Sequence, residues 1–182
     1  GSGDAFASPL YAKLLRELTI DSNMSLELQT NGVLMEEARF TEAIFSSLRF
    51  ISVSVDAFQK ETYERVRRGG SFARLKANLD WLNRAKLEKK FSHDVYYKIN
   101  FIVQRENFRE IPSFAKWILE YPSVNEVWFN LIADWGHLPA EEFKKRAVWM
   151  GDHPDHQEFL SVIRDPALRT PRVNLGNLSA YL

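Results

Sequence analysis

The most informative feature of this 182-residue chain is the absence of cysteine. Without a thiol the chain cannot form a disulfide. It also cannot hold a zinc ion or an iron–sulfur cluster through cysteine ligands of its own. Any such group would need ligands from outside these residues.

Two further absences narrow the range of partners. The 24 Lys and Arg residues balance 24 Asp and Glu residues, so net charge predicts no nucleic acid or other polyanionic partner. No apolar run approaches the roughly 20 residues that span a bilayer, and nothing resembles a signal peptide. We therefore expect a soluble, cytoplasmic protein with no membrane partner.

The chain does contain a regular succession of strand and helix patterns. Apolar periodicity near 3.6 predicts helices, and alternation predicts strands. The predicted helices are Pro9–Leu18, Leu34–Ser47, Lys60–Arg67, Phe72–Leu87, Phe108–Glu120, Ala140–Trp149 and Asp155–Ile163. The predicted strands are Leu26–Asn31, Phe50–Asp56, Val95–Gln104 and Val127–Ile132. This succession predicts an α/β fold with a parallel sheet, whereas Asp165–Leu182 has no clear period.

Each predicted strand has one apolar and one polar face. The polar-face residues include Glu27, Gln29, Ser52, Ser54, Lys98, Asn100 and Asn130. A doubly wound sheet has helices on both faces and favours strands that are apolar throughout. One polar face therefore favours an open or partial barrel whose lumen holds a polar ligand. An α/β sandwich with one solvent-exposed sheet face is the alternative.

Short polar motifs follow the strands, where ligands bind in parallel α/β folds. They are Thr30-Asn31-Gly32, Ser54-Val55-Asp56, Asn100 with the Gln104–Asn107 turn, and Asp134-Trp135-Gly136. Each alone is a weak indication, because Asn and Gly are common in ordinary turns. Their order along the chain carries more information than any one of them.

Together these motifs resemble the radical SAM superfamily, and most closely its branch with a C-terminal, SPASM-type extension for auxiliary clusters. The family's QTNGxLL pattern corresponds to Gln29–Leu34. Its SxDa…tYexiRrGg pattern corresponds to SVDAFQKETYERVRRGGSFARLKANLDWL, and INFIVQRENFREIPSFA also fits. The family's GSGDPFAS loop resembles Gly1–Ser8, although Ala5 stands where the family has proline. This likeness favours Gly1–Asp4 as native sequence, against the alternative that Gly1-Ser2-Gly3 is a remnant of a purification tag.

The resemblance implies that S-adenosylmethionine binds at the strand ends. The carbonyls of Gly1, Ser2 and Gly3, with Asp4, would accept its ammonium group. Arg67 with Ser54 would bind its carboxylate, because a guanidinium pairs well with carboxylates. The ribose hydroxyls would suit Ser54, Asp56 or Asn100, and Ile102 or Val103 would line the adenine slot. Asn31 completes the implied site.

Each of these residues also has a purely structural interpretation. Arg67 could cap the last turn of its helix, where cations are favourable. Asp56 could cap a helix or a turn. Asn31 could do no more than close its turn.

The large departure from the family is the missing CxxxCxxC motif. A 4Fe-4S cluster could then belong only to a longer parent protein, and we expect the segment alone to be inactive. The expected fold is a partial, TIM-like (β/α)6 barrel over residues 1–136 without its first strand or strands, followed by a helical extension over residues 137–182. The parent would reductively cleave S-adenosylmethionine and act on a small-molecule or peptide substrate, supplied with electrons by a reductant. The exposed barrel edge predicts dimerisation or swapping.

The alternative function is a non-catalytic module that binds a small molecule or a protein without a cluster. His153 and His156 are three positions apart and could share a helix face as zinc ligands. No third ligand is apparent in the sequence, and Pro154 fits a helix start better. No metal site is therefore predicted.

Overall fold

The computed structural model describes residues 4–18, 25–136 and 138–182. Its α-helices are α1 (Pro9–Glu17), α2 (Glu42–Ser47), α3 (Lys60–Val66), α4 (Phe72–Leu87), α5 (Ile111–Leu119), α6 (Ala140–Arg146) and α7 (His156–Val162). Its strands are β1 (Leu26–Thr30), β2 (Leu48–Ser54), β3 (Tyr96–Val103), β4 (Glu126–Leu131) and β5 (Val173–Asn174). Short 3₁₀ turns lie at Glu37–Arg39, Phe108–Glu110, Pro166–Leu168 and Gly176–Tyr181.

The five strands form one parallel sheet in chain order, β1-β2-β3-β4-β5. A doubly wound sheet reverses its strand order at a switch point, whereas a barrel adds each strand beside the last. The observed order is therefore consistent with the predicted partial barrel. β1 is an edge strand, but dimerisation through that edge stays a prediction.

The chain divides into two compact units. The described residues of the first lie within Gly1–Val55, Gly69–Ile99 and Tyr121–Asn125. Those of the second lie within Asp56–Arg68, Asn100–Glu120 and Glu126–Leu182. The predicted division into residues 1–136 and 137–182 follows the expected end of the barrel and not the compactness of the chain. It stays a prediction.

The first unit is built around the β1–β2 pair and α4. β1 pairs with β2 in parallel, from Leu26 opposite Leu48 to Thr30 opposite Val53. The apolar face of this pair and the inner face of α4 are buried, as alternation and helical periodicity require. Their buried residues include Leu28, Ile51, Val53, Leu75, Leu79 and Leu82.

The second unit has an aromatic core. Phe101 of β3 lies with its ring centroid 4.6 Å from that of Phe114 on α5 and 5.4 Å from that of Phe129 on β4. All three side chains are buried. Edge-on and tilted contacts of this kind stabilise a core beyond simple area burial.

Local sequence explains the starts of several helices. Ser8 caps α1 by accepting a hydrogen bond from the Tyr11 N–H, and Pro9 occupies the first turn. Ser71 caps α4 in the same way through the Arg74 N–H. The bounds of α4 agree residue for residue with the prediction.

The prediction of one helix over Leu34–Ser47 is wrong. The structure has a 3₁₀ turn at Glu37–Arg39 and the six-residue helix α2. Phe40 is extended between them, and the Thr41 hydroxyl accepts from the Ile44 N–H and starts α2. A buried Phe40 and a new N-cap therefore interrupt an apolar pattern that is helical by period alone.

Two smaller corrections concern later elements. The predicted helix Phe108–Glu120 begins as a 3₁₀ turn before α5. β5 was not predicted, because two residues are too short to show alternation. Among residues 4–18, 25–136 and 138–182, no helix has both the length and the apolar character needed to cross a membrane.

Candidate functional site

In the first unit, the carboxylate of Asp4 ties the start of the described chain to the end of β1. One oxygen accepts from the Phe6 N–H at 2.9 Å. The other accepts from the Thr30 hydroxyl at 2.7 Å and from the Asn31 N–H at 2.5 Å. We call Asp4, Thr30, Asn31, Gly32 and Asn78 the Asp4 cluster. It joins two of the predicted site residues, Asp4 and Asn31.

Gly32 allows the chain to turn at this point. Its φ is +77°, which L side chains rarely adopt. A Cβ there would lie 2.6 Å from Leu75 Cδ1 and 2.9 Å from Val53 Cγ1, both on buried side chains. The TNG motif therefore needs glycine for both backbone and steric reasons.

The turn is also held from α4. The amide of Asn78, 8% exposed, donates to the carbonyls of Gly32 at 2.7 Å and Val33 at 3.1 Å. The Asn31 side chain accepts from the Val33 N–H at 2.9 Å, which is the turn-closing role considered for it. Asn31 is half-buried, so this contact does not prevent it from meeting a ligand.

In the second unit, Asp56 binds three segments of chain. Its Oδ1 accepts from the Ile102 N–H at 2.7 Å. Its Oδ2 accepts from Arg67 Nε at 2.8 Å and lies 2.5 Å from Arg67 Nη2. Its carbonyl accepts from the Asn107 side-chain amide at 2.8 Å. We call Asp56, Arg67, Ile102, Gln104 and Asn107 the Asp56 cluster.

Arg67 has both a structural and an electrostatic role. Its backbone N–H donates to the Tyr63 carbonyl at 2.7 Å and closes the last turn of α3. Its side chain pairs with Asp56 while 26% exposed, whereas the Asp56 side chain is 6% exposed. The guanidinium has five N–H donors, and the contacts to Asp56 use Nε and Nη2.

Two opposing effects act on the pKa of the Asp56 carboxyl: burial raises it, and its contacts with Arg67 and Ile102 lower it. Burial raises the pKa of the Asp56 carboxyl above its ordinary value, and it outweighs the attraction of Arg67 and the hydrogen bond from Ile102. The carboxylate is therefore costly to keep charged, and its ion pair with Arg67 offsets part of that cost.

Sequence reasoning assigned neither Gln104 nor Asn107 to the site, and Asn107 contributes its side chain to the cluster. Its Oδ1 accepts from the Gln104 N–H, and its amide donates to the carbonyls of Asp56 and Ile102, each at 2.8 Å. The sequence did single out the Gln104–Asn107 turn, where an Asn three residues after a strand favours a local side-chain contact. The bond to Asp56, 51 residues away, has no sequence signal.

The remaining predicted residues lie on separate elements. Ser54, at the end of β2, and Asn100 and Ile102, on β3, are half-buried. Gly1, Ser2 and Gly3 lie outside the described residues. Asp4, Asn31 and Ser54 belong to the first unit, and Asp56, Arg67, Asn100 and Ile102 belong to the second.

Comparison with known families decides the identity of the chain. The family model for the radical SAM superfamily matches residues 1–118, well over half of the chain. This chain belongs to the radical SAM superfamily. No curated protein matches it.

Radical SAM proteins in general use S-adenosylmethionine and a 4Fe-4S cluster. The residues of this chain do not fit the cluster, because they include no cysteine. Within residues 4–18, 25–136 and 138–182, no group of three or more His, Asp or Glu residues is arranged to hold a metal. Any cluster that serves this radical SAM domain must take its thiolates from outside residues 1–182.

The two histidines considered for zinc have structural partners instead. His153 Nε2 lies 3.1 Å from the Lys145 carbonyl, and its Nδ1 accepts from the Asp155 N–H at 3.0 Å. His156 Nδ1 lies 3.3 Å from the Val148 carbonyl. These contacts place both imidazoles in the packing of the segment that follows α6.

Proposed function

We propose that this chain supplies S-adenosylmethionine-binding residues of a radical SAM enzyme, whose cleavage of that molecule starts radical chemistry on a substrate. The reducing electron comes from the family's cluster, for which this chain has no ligands. The role of these residues is therefore to bind and orient S-adenosylmethionine.

The observation that carries the proposal is the half-buried Arg67 held by a buried Asp56. A guanidinium with one side fixed by a carboxylate keeps its remaining donors in a defined direction. Its 26% exposure leaves it accessible to a ligand. A carboxylate such as that of the methionine moiety is the complementary group, because it can accept from the guanidinium N–H donors that the contacts to Asp56 leave unused.

The proposed roles of the other residues follow from their chemistry. Three hydrogen bonds from described residues reach the Asp4 carboxylate, which has about four acceptor positions, and this leaves capacity for the ligand's ammonium group. Ser54 and Asn100 have side chains suited to ribose hydroxyls. For Asp56 a supporting role through Arg67 is favoured over direct contact, because both of its oxygens already accept hydrogen bonds.

The test is a ligand titration followed by NMR on the ¹⁵N-labelled chain, which detects weak binding. S-adenosylmethionine should shift the Arg67 Nε–H signal of the wild type. Arg67→Ala should weaken binding by about tenfold or more, as expected for the loss of a charge-assisted contact.

The matched control is Arg68→Ala, because Arg68 is the neighbouring arginine and is exposed. Its removal changes net charge equally and should leave affinity within about twofold. A wild-type chain that binds no S-adenosylmethionine, or equal losses for the two variants, would contradict the proposal. The absence of binding would favour the alternative of a module with another ligand.

A further inference from the structure

Asp56 has a left-handed backbone conformation, which is uncommon for a non-glycine residue. Its φ is +61°, and Lys89 is the only other non-glycine residue with positive φ in the part of the chain that the structure describes. Left-handed backbone costs free energy at a non-glycine residue, although less at Asp and Asn than at other residues, and surrounding contacts stabilise it. The side chain of Asp56 is also nearly fully buried, so contacts inside the protein must supply that constraint.

Asn107 supplies this constraint through a hydrogen bond to the backbone carbonyl of Asp56. It is 1% exposed, and both hydrogens of its amide are used, one on the Asp56 carbonyl and one on the Ile102 carbonyl. Its oxygen is fixed by the Gln104 N–H. A side chain held at three points by backbone has no freedom to move, so it determines where the Asp56 carbonyl lies.

Asp56 passes this constraint to Arg67. With its carbonyl held by Asn107 and its Oδ1 held by the Ile102 N–H, Asp56 can direct its Oδ2 only along one line, toward Arg67. The hydrogen bonds therefore form a chain from the Gln104–Asn107 turn through Asp56 to the guanidinium.

We infer that Asn107 is a positioning residue that holds Asp56 in the left-handed conformation and thereby fixes the direction in which Arg67 meets the ligand carboxylate. The identity of the ligand in this inference rests on the proposed function. The positioning of Arg67 by Asn107 does not depend on it. Other side chains do not reproduce the arrangement. Aspartate has no amide donors for the two carbonyls, and serine has a single donor.

The first arm of the test needs no ligand. Hydrogen exchange of the Arg67 Nε–H is followed by NMR in the wild type and in Asn107→Ala. We expect exchange to accelerate by about tenfold, because the ion pair becomes mobile. Asn107→Ser, which keeps one donor and is the second variant if the first does not fold, should give a smaller acceleration. Unchanged exchange in a folded variant would overturn the inference.

The matched control for this arm is Asn78→Ala in the first unit. Asn78 is also a buried asparagine whose amide donates to two backbone carbonyls. Its loss should destabilise the protein comparably but leave exchange of the Arg67 Nε–H unchanged once global opening is accounted for. Equal acceleration in Asn78→Ala and Asn107→Ala would show only general loosening and would also overturn the inference.

The second arm compares two ligands. S-adenosylhomocysteine carries the amino-acid carboxylate, and 5′-methylthioadenosine lacks it. Asn107→Ala should weaken binding of the first by about tenfold and leave the second within about twofold, because only the first meets Arg67. Equal weakening of both ligands would indicate a merely structural role.

The two arms separate the two proposals. If the wild type binds neither nucleoside but the exchange arm succeeds, the proposed function fails while the positioning of Arg67 stands. If the wild type binds S-adenosylhomocysteine through Arg67 but neither arm responds to Asn107→Ala, the positioning role fails and the proposed function stands.

Discussion

The Asp4 cluster and the Asp56 cluster solve the same structural problem with different chemistry. In each, a carboxylate joins segments distant in the sequence, and a buried asparagine amide donates to two backbone carbonyls. Among the described residues, however, the donors to the Asp4 carboxylate are neutral, whereas the Asp56 carboxylate pairs with a cation. The first arrangement orders a turn, and the second also orients a charge.

The two clusters also differ in the type of residue that has left-handed backbone. The Asp4 cluster places glycine there, at no conformational cost, while the Asp56 cluster places aspartate there. A backbone that needs only to turn favours glycine. Aspartate at such a position implies that its carboxylate is worth more than the strain it brings, which points to the orientation of Arg67 as the reason.

The largest expected effect on the free energy of unfolding is at Gly32, the left-handed residue of the Asp4 cluster. Gly32→Ala should lower the free energy of unfolding by about 3 kcal/mol, from left-handed strain together with overlap against buried Leu75 and Val53. Gly69→Ala is the control, because Gly69 has a similar φ of +80° but no atom lies within 4 Å of the position that a Cβ would take there. It should cost about 1 kcal/mol.

Urea denaturation of both variants measures the difference. Equal losses would mean that Leu75 and Val53 move aside without cost, and that conformational strain alone explains the preference for glycine. A larger loss at Gly32 would assign the excess to packing, which is the distinction between the two glycines.

The second prediction tests the role of charge. Asp56→Asn should lower the free energy of unfolding by about 2 kcal/mol, because Arg67 loses its counter-charge and one buried donor loses its acceptor. Asp4→Asn should cost about 1 kcal/mol, because its partners are neutral and the half-buried site admits water. Urea denaturation at neutral pH measures both. A loss at Asp4 equal to or larger than that at Asp56 would show that the cation does not distinguish the clusters.

The sequence was sufficient for elements with a strong local signal. The 16-residue helix α4 has a capping serine and a long apolar period, so both of its ends could be predicted. The predicted helix Leu34–Ser47 failed because burial of Phe40 and the cap at Thr41 interrupt it. The packing that buries Phe40 against Trp81, with ring centroids 4.6 Å apart, depends on residues about forty positions away.

The same limit applies to the candidate site. Asp56 and Arg67 were predicted because family motifs contain them, and their separation of 11 residues is short. Asn107 was not predicted, because its role depends on a bond across 51 residues that only the fold brings about. Local patterns identify residues that carry chemistry, whereas residues that hold them in place are found from three-dimensional contacts.

The smallest expected effect concerns pH and distinguishes a buried acid from an exposed one. Because burial raises the pKa of Asp56, the folded protein binds a proton there at a pH where the unfolded chain does not. This group's contribution to the free energy of unfolding therefore increases as pH falls through the folded pKa toward the ordinary value of 3.8. The stability difference between wild type and Asp56→Asn should shift in favour of the wild type over that window.

Glu36 provides the opposite sign within the same protein. Its hydrogen bond from Arg74 lowers its pKa, so the stability that it contributes is present above its ordinary pKa and is lost as pH falls through the folded value. The difference between wild type and Glu36→Gln should therefore shrink under acid, while that for Asp56→Asn grows. Urea curves recorded from about pH 7 to about pH 3 test both, because the titration of all other groups cancels in each difference. Slopes of the same sign would mean that the attraction of Arg67 outweighs burial at Asp56, so that folding favours the charged carboxylate and not the neutral acid.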